Sequence, residues 1–249
     1  MAILVKFIPL ASSSSGNAYL VDDGETRLLL ECGVSFKKLQ KLSGYNLSNI
    51  AACLVTHEHG DHAKCYLKVV QCGIPVYATA GTRDALDCTL MDLIKKTEGS
   101  GQYIPLHLGS YDVIPFPTLH DAEEPVGFLV RSQRDGEKLV FATDTVNLGY
   151  QFPGVTTAAI ECNHDDDIVT RIDQLPERLA KHLRRASNTH MSVSRTCRWL
   201  AQLDKSQLRD VFLLHLSDSF SNERKFRQAV ERTVGPTIRV TVCPKEQTT

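Results

Sequence analysis

The sequence predicts an α/β fold of the α+β, four-layer kind: two β-sheets with helices on their outer faces, in one domain spanning residues 1–249. Three observations predict it. Strand-like runs followed by helix-like runs occur twice along the chain, which suits two similar halves, each a sheet with helices. No Pro/Gly/Ser-rich linker separates those halves, and no short repeat is visible. Hydrophobic residues make up 42% and charged residues 23%, a globular composition.

The first half opens with strands. Ile3 to Ile8 and Ala18 to Val21 read as strands, and Asp23-Gly24 turns the chain into Arg27 to Leu30 as a hairpin signal. Ser35 to Leu42 predicts a short helix and Ala51 to Val55 a buried strand. Asp61 to Gln71 predicts one helix, Ile74 to Tyr77 a strand, and Thr82 to Thr97 a helix with a break. The second half returns to strands at Asp112 to Pro117, Gly127 to Arg131 and Lys138 to Ala142, with Asp135-Gly136 as a turn, then Ala158 to Glu161. Helices are expected at Leu175 to Arg185, Ser192 to Leu203 and Asn222 to Val234, with strands at Val211 to Leu214 and Ile238 to Val242. The tail Pro244 to Thr249 is expected to fray.

The formal net charge of -1 provides no global positive field for long nucleic acid, although a local basic patch could supply one. The eight cysteines are scattered, with no C-x-x-C pair, which points to free thiols in a reducing compartment. Met1 to Phe7 has neither a basic leader nor an apolar core of signal length, and no apolar run approaches a membrane span. A cytoplasmic protein without a membrane partner is the expectation.

Function is written most densely at Thr56-His57-Glu58-His59-Gly60-Asp61-His62, an H-x-H-x-D-H run. From an extended segment, residues i and i+2 point the same way, so His57 and His59 can grip one ion. Asp61 and His62 begin the next element and can turn toward a second. Imidazole and carboxylate ligands without thiolate suit Zn²⁺ foremost, with Mn²⁺ and Fe²⁺ as alternatives. Three further polar residues follow apolar strands: His120 after Asp112 to Pro117, Asp144 after Lys138 to Ala142, and His215 after Val211 to Leu214. One sheet edge would gather them, the usual place for chemistry in α/β folds.

These motifs, in this order and over nearly the whole chain, resemble the metallo-β-lactamase superfamily. The resemblance implies an αββα sandwich with two divalent metals at the sheet edges. It assigns His57, His59 and His120 to one metal, Asp61, His62 and His215 to the other, and Asp144 as the bridge. A departure is Glu31-Cys32-Gly33, where the family often carries an aspartate in D-x-G; the longer Glu31 can still brace the histidine loop. Ser13-Ser14-Ser15-Gly16-Asn17, Glu161-Cys162-Asn163-His164-Asp165 and His190-Met191-Ser192 further resemble the YycJ/WalJ-type branch, which comprises nucleases and related phosphodiesterases, and phage anti-Pycsar-type hydrolases of cyclic mononucleotides. Relatives of this kind imply a homodimer.

The implied chemistry is phosphodiester hydrolysis: paired cations clamp the phosphate and lower the pKa of an attacking water toward about 7. Asp61 is expected either to ligate a metal or to orient that water. The leaving oxygen needs a proton, from His190 first or His164 second. Ser14, Ser15 and Asn17 are expected to contact the substrate phosphate. The near-neutral charge favours a 3′,5′-cyclic mononucleotide as substrate; a DNA or RNA exonuclease and, third, a thioester or acyl hydrolase are the alternatives.

Overall fold

The computed structural model describes residues 5–247. Its strands form a mixed α/β arrangement with two sheets, of six and seven strands. The chain divides into two compact units: residues 1–117, 122–138 and 244–249 form the first, and residues 118–121 and 139–243 the second.

The first unit begins with β1 (Lys6–Ala11), β2 (Ala18–Asp22) and β3 (Arg27–Leu30), paired antiparallel in sequence. It continues through α1 (Phe36–Leu42), β4 (Ile50–Leu54), α2 (Gly60–Ala63), α3 (Tyr66–Gln71), β5 (Val76–Ala78), α4 (Ala80–Ala85) and β6 (Asp92–Leu93). From β3 to β6 the pairing is parallel. Leu29, Cys53, Val55 and Val76 of this sheet are buried in one core with Leu39 and Leu42 of α1 and Val69 of α3. Ser35 caps α1 by accepting from the Lys38 amide. An antiparallel meander follows: β7 (Leu106–Leu108), β8 (Tyr111–Pro117) and β9 (Val126–Ser132).

The second unit contains β10 (Lys138–Ala142), β11 (Thr157–Glu161), α5 (Asp166–Val169), α6 (Glu177–Thr189), α7 (Val193–Gln202), β12 (Asp210–Leu214), α8 (Glu223–Val234) and β13 (Arg239–Val242). Its four strands are all parallel, in the order β10-β11-β12-β13. All five residues of β11 are buried, as parallel strands covered on both faces require. The helices bury one stripe each: Ala180, Leu183 and Ala186 on α6, Trp199 and Leu200 on α7, Phe226 and Val230 on α8.

Most expected elements stand within a residue or two, and four differ. The single helix expected over Asp61 to Gln71 is two, α2 and α3. The Cys32 amide donates to the His62 carbonyl and the Cys65 amide to the Cys32 carbonyl, so a neighbouring backbone replaces helical bonds at the break. Thr82 to Thr97 is helical only through Ala85, and Asp92–Leu93 pairs as β6. Helix α6 runs on to Thr189. In the tail expected to fray, the Gln247 amide donates to the Leu10 carbonyl and Lys38 pairs with Glu246, so it is docked through Gln247. The expected strand at Ile3 to Ile8 lies partly outside the described residues, which show β1 from Lys6. All eight cysteines are free thiols. Among the described residues no helix is long and apolar enough to cross a membrane.

Candidate metal centre

In the first unit, β4 ends at Leu54, and residues 55–59, which carry a bend at Glu58, lead into α2. His57 and His59 converge across the bend at Glu58: His57 Nε2 lies 3.0 Å from His59 Nδ1. Thr56 Oγ1 holds His57 Nδ1 at 2.8 Å, which leaves Nε2 as the inward atom. His59 is the N-cap of α2, and Asp61 and His62 lie within that helix. The His57 and His62 rings are 4.2 Å apart.

The loop is braced from two sides. The Asp61 carbonyl accepts from the Asn17 amide at 2.8 Å and from Asn17 Nδ2 at 3.1 Å. Gly33 packs so closely that an added β-carbon would fall on the Asp61 carbonyl. That contact explains glycine at the end of Glu31-Cys32-Gly33. Glu31 is fully buried in the left-handed region, at φ 64°. Its Oε2 accepts from the Thr56 amide at 3.4 Å and its Oε1 lies 3.6 Å from His62 Nδ1. Burial pushes the Glu31 carboxyl above its ordinary range, with His62 pulling the other way. Asn17, expected to contact substrate, is instead a buried brace whose Oδ1 accepts from the Ser13 amide and the Tyr19 hydroxyl. Ser14 and Ser15 are exposed.

In the second unit, three adjacent parallel strands deliver their carboxyl ends side by side. Asp144 lies two residues past β10, Glu161 closes β11, and His215 follows β12. Asp144 and His215 both take positive φ, 46° and 52°, which turns their side chains off the strand path. His190, the first expected proton donor, is buried and caps the C-terminus of α6. Asp144, Glu161, His190 and His215 each present a ligand atom within 4.8 Å of the others. His120 joins them, with Nε2 3.4 Å from Asp144 Oδ2 and Nδ1 donating to the Thr189 carbonyl at 2.9 Å.

Glu161 organises this cluster, and the sequence reading gave it no role. It is fully buried. One carboxylate oxygen accepts from the Thr145 and Met191 amides at 2.9 and 3.1 Å. The other accepts from His190 Nδ1 at 2.6 Å and lies 3.3 Å from His215 Nδ1. Burial alone would raise its pKa; the His190 charge and the hydrogen bonds from His190 and His215 outweigh burial and hold it well below the usual carboxylate range. His190 mirrors this. Burial would depress it, but Glu161 and Asp144 raise it. His120 and His164 are lowered, chiefly by burial. His164 is the second expected proton donor. It is buried, bridged through its backbone to Ser192, with Nδ1 lacking a hydrogen-bond partner. His107 lies on β7 and pairs with Asp112 at 2.6 Å. His182 is exposed on α6.

Imidazole and carboxylate donors buried together, with ligand atoms within 4.8 Å of one another, fit divalent metal. In each unit the second nitrogen of a converging ring is tied to an oxygen: His57 to Thr56, His120 to Thr189, and His215 close to Glu161. Such outer partners fix the orientation of ligating histidines.

A strand-end cluster of this composition defines a metal-dependent hydrolase. The β-lactamase superfamily domain model matches residues 26–215, and the chain belongs to that superfamily, with the metallo-β-lactamase fold. It is similar to the exodeoxyribonuclease YycJ of Bacillus anthracis, 27% identical over 92% of this chain and 88% of that one. It is also similar to the exodeoxyribonuclease WalJ of Streptococcus pneumoniae, 29% identical over 66% of this chain and 64% of that protein. Among solved structures, the metallo-β-lactamase fold protein YhfI from Bacillus subtilis shares the fold, with a TM-score of 0.71 at 15% identity over 98% of both chains.

Proposed function

We propose that the chain is a metal-dependent phosphodiesterase acting on a polynucleotide, with residues 1–249 working as one domain. In this reading His57, His59 and His120 hold one ion, Asp61, His62 and His215 the other, and Asp144 bridges, with Zn²⁺ the preferred metal. The observation that carries it is the buried Asp144–Glu161–His190–His215 cluster at the strand ends. Relatives named as exodeoxyribonucleases support the polynucleotide.

Bound divalent ions would supply Lewis acidity toward the phosphate oxygens and the attacking water. The chain's own groups do the rest. Asp61 orients the water. His190, held by Glu161 through Nδ1, offers Nε2–H to the leaving oxygen. His164, buried and shifted toward its neutral form, is the weaker candidate for that proton. Ser14 and Ser15, exposed on the loop after β1, donate to the phosphate. The protein acts in the cytoplasm, as a homodimer.

A 3′,5′-cyclic mononucleotide is the second reading, favoured by the formal net charge of -1. One panel separates them: metal-loaded protein against single- and double-stranded DNA, RNA, 3′,5′-cyclic mononucleotides and a thioester, with His59→Ala as control. Cleavage of DNA or RNA supports the polynucleotide reading. Cleavage of cyclic nucleotides alone replaces it with the second. Turnover of the thioester alone overturns both.

A further inference from the structure

We infer that Arg195 is the binding site for a backbone phosphate of a polynucleotide strand, next to the scissile one; the inference rests on the polynucleotide reading above. Arg195 lies in the first turn of α7, half-buried. Its Nη1 donates to the Val146 carbonyl at 3.3 Å and to the Ser187 carbonyl at 3.2 Å. Both anchors belong to the elements that position the second unit's cluster. Val146 is two residues past Asp144, and its amide donates to the carbonyl of Leu119, the neighbour of His120. Ser187 is in the last turn of α6, whose Thr189 carbonyl accepts from His120.

What the guanidinium lacks is an anion. Arg27, Arg83, Arg184, Arg185, Arg227 and Arg239 each face a carboxylate. Among the described residues no carboxylate pairs with Arg195. Nη1 has two hydrogens, and the two carbonyls account for both. The Nε–H and Nη2–H edge remains, in the planar fork that matches a phosphate in bidentate fashion. A half-desolvated cation fixed by carbonyls is left with an unmet demand for negative charge. Leu119, with 59% exposure, and Tyr150, with 41%, lie on the same loops and leave apolar surface for a base.

The bland alternative is a clamp that only ties α6 to the Asp144 loop. A clamp predicts no change in salt dependence when it is lost; a phosphate contact does. The test is steady-state hydrolysis of a single-stranded oligodeoxynucleotide by zinc-loaded protein across a series of salt concentrations. Arg195→Gln should raise KM about tenfold or more, with a much smaller change in kcat. The slope of log(1/KM) against log[salt] should flatten by about 0.7, one single-strand phosphate contact. Arg195→Lys should keep the wild-type slope while KM rises for loss of the fork. An unchanged slope in Arg195→Gln, or a fall in kcat and bound zinc at unchanged slope, overturns the phosphate site and leaves the nuclease reading standing. Failure of the wild-type protein to cleave any polynucleotide overturns both.

Discussion

Glutamine at position 161 changes one heavy atom at a point where four donors converge. One oxygen of the Glu161 carboxylate receives the Thr145 and Met191 amides, and the other receives His190 Nδ1, with His215 Nδ1 near. Glutamine has one acceptor oxygen. If that oxygen stays with the two amides, the NH₂ faces two ring nitrogens, and each must accept instead of donate. The proton of each ring then moves to Nε2. For His215 this blocks the atom available to a metal; for His190 it replaces a charged acid with a neutral one. The energetic cost follows from what is lost. A hydrogen bond to a charged group contributes about 1.5–3 kcal/mol and a neutral one about 1 kcal/mol, while outright breakage of a buried pair costs about 3–5 kcal/mol. Glutamine keeps the shape and the amide contacts, so Glu161→Gln should destabilise metal-free protein by about 2–4 kcal/mol. Zinc affinity should fall about 10–100-fold, as for loss of an outer partner of a ligating histidine. Urea unfolding of chelator-treated protein measures the first quantity, and competition with a chromophoric chelator the second. A variant within about 0.5 kcal/mol of wild type, the range of an ordinary surface substitution, with unchanged zinc affinity would refute the view that this carboxylate holds the rings.

Other outcomes follow from the same geometry. Asp144→Ala should lose at least one metal per chain by elemental analysis and nearly all hydrolysis; two retained metals with normal turnover would sink the bridging assignment. Gly33→Ala should shift the His57–His62 loop, costing about 1–3 kcal/mol or more by overpacking and weakening zinc binding; wild-type affinity would show that the loop tolerates the displacement. His190→Asn should slow substrates with an alkoxide leaving group by about 10²–10⁴-fold, and p-nitrophenyl esters far less; equal losses on both would remove His190 from the proton-transfer role. In metal-free protein the His190–Glu161 pair also sets a pH window. His190 is raised from 6.5, so its contribution is complete below about that pH and is lost as pH rises through the raised value. Glu161 is lowered from 4.5, so its contribution is complete above about that pH and is lost as pH falls through the lowered value. The stability gap between wild type and Glu161→Gln should therefore peak between about pH 4.5 and 6.5, and a gap that is flat with pH argues against the pair.

The parts of the site that could be read from the sequence are those where the signal is local. His57, His59, Asp61 and His62 fall within six residues, and no packing pattern needs such a run. Asp144 and His215 were visible as the first strongly polar residues past apolar strands. Glu161 looked like the last residue of an ordinary strand. Its partners lie 16, 29 and 54 residues away: the parallel register of β10, β11 and β12 brings Thr145 and His215 to it, and the end of α6 brings His190. The bracing role of Asn17 is hidden from the sequence for a related reason. Its Ser/Gly/Asn loop signals a turn that could present donors, whereas the three-dimensional contact with Asp61 turns the side chain inward. The break between α2 and α3 likewise depends on Cys32, some thirty residues earlier, supplying backbone bonds that helical periodicity cannot register.

Left-handed backbone at Glu31, Asp144 and His215 has a consequence for engineering. Each is a place where a survey of conformational ease would recommend glycine, and at each the substitution should relieve up to about 1–3 kcal/mol of local strain. Asp144→Gly and His215→Gly should thus lose less stability than the missing side-chain contacts alone would suggest. Both would yield well-folded chains without chemistry. A stability-guided library screened only by melting temperature would enrich such chains, so selection for robustness in this protein must be coupled to a metal-binding or turnover readout.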